Sequence, residues 1–238
     1  MKRRINYLFL IMACVMTLSA CAGPLRYSAD PIEAKIIDVE TKQPLEGVIV
    51  VAHWELERGT EGGNIPVGQL KVMEAVTDKH GKFVFPGFGP ETIWIGFLVD
   101  KDPELIIFKP DYEYRRLLNP YTSDRELRTR KVRQSDWSGK TIALKPFKGT
   151  DEEYAQHVYN LDGNLEFARY GSMGTLDDCE WKKIPRMLVA LHRMREYFDS
   201  KGVKLPGWRG GARIRKITDV GNQGQCGSAE KFFRGYLP

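Results

Sequence analysis

Thiols and imidazoles carry the most direct chemistry in this sequence: Cys14, Cys21, Cys179 and Cys226, with His53, His80, His157 and His192. A thiol can attack a carbonyl, accept a lipid, ligate a metal or pair with a second thiol, and its surroundings decide among these. The spacing does not support metal ligation, because neither a His-x-x-x-His nor a Cys-x-x-Cys pair occurs. Asp78 and His80 share the segment Asp78-Lys79-His80-Gly81, where aspartate is an ordinary turn former. All four histidines precede Cys226, and only twelve residues follow it. A nucleophilic Cys226 would therefore need a base from upstream, His157 or His192.

Cys21 stands in a different context. Lys2, Arg3 and Arg4 form a basic start, followed by an uncharged run from Tyr7 to Leu18. That run is too short for a hydrocarbon core, which takes about 20 helical residues. Residues 1–20 read instead as a secretory signal peptide. The end of the run, Leu18-Ser19-Ala20-Cys21, resembles the lipobox of bacterial lipoproteins. The resemblance implies cleavage before Cys21 and a diacylglycerol thioether on its sulfur. The expected partner is then membrane lipid, held through the acylated Cys21. Several acyl chains hold far more firmly than one. Ala22 and Gly23 follow, with no Asp at the second mature position. By resemblance to enterobacterial sorting, this favours the outer membrane, facing the periplasm.

Loss of residues 1–20 removes three cations and no acid, so the formal charge of +5 falls to +2. That balance does not suggest a nucleic-acid partner. The 218 residues left allow one or two domains with a real core. Two cysteines are left besides Cys21. Outside the cytoplasm an even pair, Cys179 and Cys226, suggests a disulfide. Two free or buried cysteines are the alternative, since spacing shows no proximity.

The elements that would position these groups begin after a short polar tether, residues 21–31. Ile32 to Asp38 alternates roughly as a half-buried strand does. Residues 40–44 read as a turn, and Val48 to Trp54 is a β-branched run suited to a buried strand. Glu57 to Gly68, rich in glycine and polar residues, reads as a long loop. Val72 to Thr77 is a third strand, and Asp78 to Gly81 a turn. Lys82 to Phe85 then reads as the returning strand of a hairpin, with Phe83 and Phe85 both inward by parity. Ile93 to Val99, Leu105 to Phe108 and Thr141 to Leu144 read as further strands. Short strands at this spacing argue for a sandwich.

Eleven residues in this region, Thr41, Pro44, Leu45, Gly47, Val48, Val50, Thr77, Asp78, Gly81, Phe83 and Phe85, resemble the pattern of the carboxypeptidase regulatory-like family. Lys42 stands where the pattern has Gly. The resemblance covers roughly residues 32 to 112 and implies a transthyretin-like β-sandwich, usually a non-catalytic spacer or interaction module. Between residues 109 and 148 there are 11 Lys/Arg against 5 Asp/Glu, densest from Arg125 to Arg133. This reads as a solvated segment, or as a patch for anionic head groups or acidic glycans.

From Asp151 the pattern turns helical. Ile184, Met187, Leu188, Leu191, Met194 and Phe198 form one apolar stripe on a helix from about Cys179 to Lys201, with Asp177 and Asp178 as caps and Gly202 as its end. The tail from Pro206 reads as irregular. Within it, Asn222-Gln223-Gly224-Gln225-Cys226-Gly227-Ser228 resembles the nucleophile segment of papain-like cysteine peptidases. There the Gln supplies an oxyanion donor and the Cys attacks. Ala229 and Glu230 stand where Cys and Trp belong, and that family places its His and Asn far downstream of the Cys. A glycine-rich turn holding half of a disulfide is the plainer account.

The expected fold is mainly β with α: a transthyretin-like β-sandwich over residues 32–148, then a helical C-terminal region over residues 149–238. The expected function is that of a membrane-anchored, non-enzymatic envelope lipoprotein with an envelope protein or glycan as a further partner, no nucleic acid and no cofactor. A hydrolase with an unrecognised site is the competing expectation.

Overall fold

The computed structural model describes residues 24–99, 101–120, 131–171, 179–203 and 214–237. The architecture is mainly β-sheet, with helices gathered towards the C-terminal end. In one three-stranded sheet, β1 (Leu25–Ala29) lies between β6 (Phe88–Ile93) and β10 (Val132–Arg133). In a second, β2 (Ile32–Asp38) lies between β5 (Lys82–Phe85) and β11 (Thr141–Leu144). The third runs β4 (Gly63–Val76), β3 (Ile49–Thr60), β8 (Glu104–Phe108), β9 (Arg115–Leu117), and β7 (Phe97–Leu98) pairs with the far part of β3.

Period-two alternation assigns the side chains of this third sheet to two separate cores. Val50, Ala52 and Trp54 of β3, with Leu105 and Ile107 of β8, face Ile32, Ala34 and Ile36 of β2, Phe83 and Phe85 of β5, and Ile142 and Leu144 of β11. Their neighbours Ile49, Val51, Ile106 and Phe108 face the other way, onto the helices. Every residue of β8 is buried as a result. A strand covered on both faces needs apolar residues at every position, which explains the unbroken run Leu105-Ile106-Ile107-Phe108.

The helical layer comprises α1 (Asp151–Asn164), α2 (Glu166–Tyr170), a 3-10 turn (Glu180–Lys183), α3 (Pro185–Ser200), and the short α4 (Gln223–Cys226) and α5 (Ala229–Phe233). A full capping box starts α1: the Thr150 hydroxyl accepts from Glu153 N, and the Glu153 carboxylate accepts from Thr150 N. No side chain of its own caps α3, since Ile184 stands at the N-cap. Glu74 of β4 does this instead, its carboxylate accepting from Arg186 N at 3.0 Å and Met187 N at 2.8 Å. This contact fastens the helical layer to the sheet. All six residues of the expected stripe, Ile184, Met187, Leu188, Leu191, Met194 and Phe198, are buried.

The motif positions have clear physical roles. The Thr77 hydroxyl accepts from Val48 N at 2.9 Å and donates to Leu45 O at 2.6 Å, so one side chain joins both flanks of the turn. The Asp78 carboxylate accepts from His80 N and Lys82 N. Gly81 has φ +73°, and a Cβ there would lie 2.3 Å from Ile36 O. Lys42, the departure from the pattern, has φ +61°, the left-handed region that glycine adopts freely. Phe83 and Phe85 point into the core together, their ring centroids 5.6 Å apart.

Several expectations need correction. Residues 57–68, expected as a loop, continue β3 and β4 as a long hairpin that turns between Thr60 and Gly63. Bulges between Trp54 and Glu55 and between Leu56 and Glu57 obscure the alternation there. β5 is not the return of a β4 hairpin; it crosses to pair antiparallel with β2. The expected strand Ile93–Val99 divides at Trp94 into β6 and β7. Residues Leu25–Ala29, expected within a tether, form β1. Pro185 at the first helical position starts α3 later than Cys179. The tail is not wholly irregular, because it holds α4 and α5. Asp177, Asp178, Cys21 and most of the basic segment from Arg125 lie outside the described residues.

Candidate functional site

Around Cys226, Asn222 takes φ +52° and starts the single turn of α4, which carries the sulfur inward. Cys226 is bonded to Cys179, with a Cα–Cα distance of 5.6 Å across 47 residues of sequence. It is buried in the helical core, the cluster that also holds Trp181, Ala229 and Phe233. Gln223, the expected oxyanion donor of the papain-like reading, is hydrogen-bonded at both ends of its amide. Its Nε2 donates to Thr218 O at 3.0 Å and Val220 O at 3.3 Å, and its Oε1 accepts from Ala229 N at 3.0 Å. Cys226 is therefore no thiolate, and the Gln223 amide is already engaged within the fold.

The histidines proposed as bases are engaged elsewhere. His157 Nε2 accepts from Tyr114 N at 2.7 Å, with the ring between Tyr114 and Phe147, and burial lowers its pKa. His192 Nε2 lies 3.5 Å from Glu196 one turn along α3. Among the described residues no group of three or more His, Cys, Asp or Glu is placed to hold a metal ion.

A buried electrostatic cluster around His53, among the described residues, was not legible in the sequence. His53, at the end of the apolar run of β3, has the parity of Ile49 and Val51 and so faces the helices. Its ring stacks on Phe167 of α2 at 4.0 Å between centroids. Nδ1 donates to Gln69 Oε1 at 2.9 Å, and Nε2 lies 3.7 Å from Glu104 Oε2. Glu104 also accepts two hydrogen bonds from the Arg116 guanidinium. Burial raises the Glu104 carboxyl, but His53 and Arg116 outweigh it and hold the group down at about 2. Burial likewise opposes the charge on His53, and Glu104 outweighs it, so the imidazole is raised.

Asp102 is buried nearby with weaker compensation. One carboxylate oxygen accepts from Val99 N at 3.2 Å. Burial raises its pKa to about 7, against the pull of His53 and Arg133. A histidine held between a carboxylate and an amide is the arrangement that orients a general base. Here Phe167 covers the ring and His53 is 5% exposed, so the cluster is packed between sheet and helices. Open clefts lie elsewhere among the described residues. One, of about 840 Å³, runs between Ile49, Val76 and α3 and includes Arg186, Arg193 and Tyr236. Another, of about 450 Å³, is lined by Tyr114, Tyr159, Asn164 and Arg215. A second buried ion pair, Asp162 with Arg169 at 2.7 Å, ties α1 to α2, and Arg169 also donates to Lys216 O and Asp219 O.

No family model and no curated protein matches the chain. A 9R-lipoxygenase from Cyanothece PCC8801 aligns with 71% of this chain and 26% of its own, at 12% identity and a TM-score of 0.24. The dioxygenase domain of a dioxygenase carbohydrate-binding protein fusion from Streptomyces sp. SirexAA-E aligns with 55% of this chain and 84% of its own, at 11% identity and a TM-score of 0.28. Likenesses this slight carry no argument about chemistry.

Proposed function

We propose that the chain is a lipoprotein of the bacterial cell envelope, acylated at Cys21 and held at the outer membrane facing the periplasm. It acts without catalysis, as a structural or interaction module with envelope protein or glycan partners. The observation that carries this reading is the disposition of the thiols. Leu18-Ser19-Ala20-Cys21 presents one, and the other two cysteines beyond residue 20 are bonded to each other. A bridged pair suits an oxidising compartment and leaves Cys21 as the acceptor for lipid. The body is read as a transthyretin-like β-sandwich of the carboxypeptidase regulatory-like kind. Support comes from two sheets on one core, with Thr77, Asp78 and Gly81 holding the turn that the pattern marks. The competing reading is a hydrolase with an unrecognised site; a papain-like site at Cys226 would need a free thiolate, which the disulfide withholds.

Metabolic labelling with a clickable fatty acid in a bacterial host tests the anchor. Label is expected on the wild-type chain and absent from Cys21→Ser. Label persisting on Cys21→Ser, or an unlabelled wild type, refutes it.

A further inference from the structure

The most exposed large apolar side chains among the described residues are adjacent in sequence: Trp94 at 81% and Ile95 at 64%. They form the link between β6 and β7, and neither belongs to a core cluster. A surface tryptophan beside an isoleucine loses free energy to water unless something covers it. The strand register indicates the cover. β1 and β6 run antiparallel with Leu25 opposite Ile93, so the chain just upstream of β1 enters beside Trp94. Leu25 is four residue steps along the chain from Cys21, and an extended chain covers at most about 3.6 Å per residue, so chain length alone keeps the two Cα atoms within about 14 Å of each other. The loop therefore lies beside the end of β1 from which the chain runs back to Cys21. Arg26, exposed on β1 and opposite Thr92, adds a cation at the same end, which anionic head groups favour.

We infer that Trp94 and Ile95 form a second membrane contact, seated in the lipid interface beside the acylated Cys21. An indole suits that depth, with an apolar ring for the acyl boundary and an N–H for the head groups. Acyl chains alone let a protein swivel about its tether. A side-chain contact at the same end fixes which face of the body points away from the bilayer. The inference rests on the anchor proposed above, and its test reads the two separately.

The protein is expressed from its full gene, recovered from the envelope and reconstituted in 3:1 phosphatidylethanolamine/phosphatidylglycerol vesicles, with or without dibrominated acyl chains. Bromolipid is expected to quench part of the tryptophan emission, with a blue shift, and Trp94→Phe is expected to abolish both effects. Aqueous iodide should quench Trp94 less with vesicles than without. Equal iodide quenching in both states overturns the inference. So does bromolipid quenching that survives in Trp94→Phe. Protection from iodide without bromolipid quenching means a protein covers the loop, and also overturns it. Mass measurement of Cys21 on the same sample reports acylation. A seated Trp94 without acyl chains would remove the lipoprotein reading and leave the membrane contact, and an acylated chain with a wet Trp94 would do the reverse.

Discussion

Asp102 offers a test in which the direction of change is fixed by linkage. Its side chain is buried beside the His53 cluster, and its carboxyl is raised from 3.8 to about 7. A carboxyl whose folded pKa exceeds its unfolded one stabilises the fold fully below the unfolded value. That contribution is lost as pH rises through the folded value. The window here runs from about pH 4 to about pH 7. Across it, holding the ionised carboxylate in place costs on the order of 4 kcal/mol. Asp102→Asn keeps the shape and an oxygen to accept from Val99 N, but cannot ionise. Urea unfolding of both proteins at pH 4.5 and pH 8 gives the change in stability on substitution at each pH. The informative quantity is the difference between those two changes, in which any packing defect of the amide cancels. It should favour the variant at pH 8 by several kcal/mol. A difference near zero, or one favouring the wild type at pH 8, would refute the assignment of Asp102 as a strained acid.

Three further outcomes follow from the packing. Opening the Cys179–Cys226 bridge, by Cys226→Ser or by reductant, frees a loop of 47 residues and should lower stability by about 4 kcal/mol in the chain-entropy account. Unreduced protein should meanwhile resist iodoacetamide at both cysteines, and rapid alkylation of Cys226 alone would restore the peptidase-like reading. Truncating Phe83 or Phe85 to Ala should cost about 3–5 kcal/mol in a thermal or chemical melt, and an unchanged melt would contradict the shared core of the two sheets. Lys42→Gly should raise stability by up to about 1 kcal/mol, because it relieves a left-handed φ at a modest entropic cost, and a loss would show that the Lys42 side chain contributes more than its backbone strain.

The strands with clean alternation were legible, and β2 has the expected bounds. So was the stripe on α3, since period 3.6 over four turns is hard to mistake. The hairpin beyond Trp54 was not, because two bulges break the period and its outer residues face water. Pairing order is a tertiary fact, which is why β5 could be placed as a strand but not beside β2. The same holds for Glu74, whose role as the cap of α3 joins residues 112 apart in sequence. The His53 cluster left one trace, a histidine and a glutamate at the ends of two apolar strand runs. Only the register, which sets His53 opposite Glu104, turns that trace into a contact. The Cys179–Cys226 pair was reached by elimination, and its geometry could come only from the fold.

The five-stranded sheet serves as a wall between two cores, and this makes the molecule indivisible. Ile49, Val51, Ile106 and Phe108 belong to the helical core, while their strand neighbours Val50, Ala52, Leu105 and Ile107 belong to the other. Cutting the chain between β11 and α1 would leave the first part with a bare apolar sheet face and the second with helices lacking a surface to fold upon. The molecule should then melt as one cooperative unit, with the helical layer leaving the sheet only as the whole unfolds.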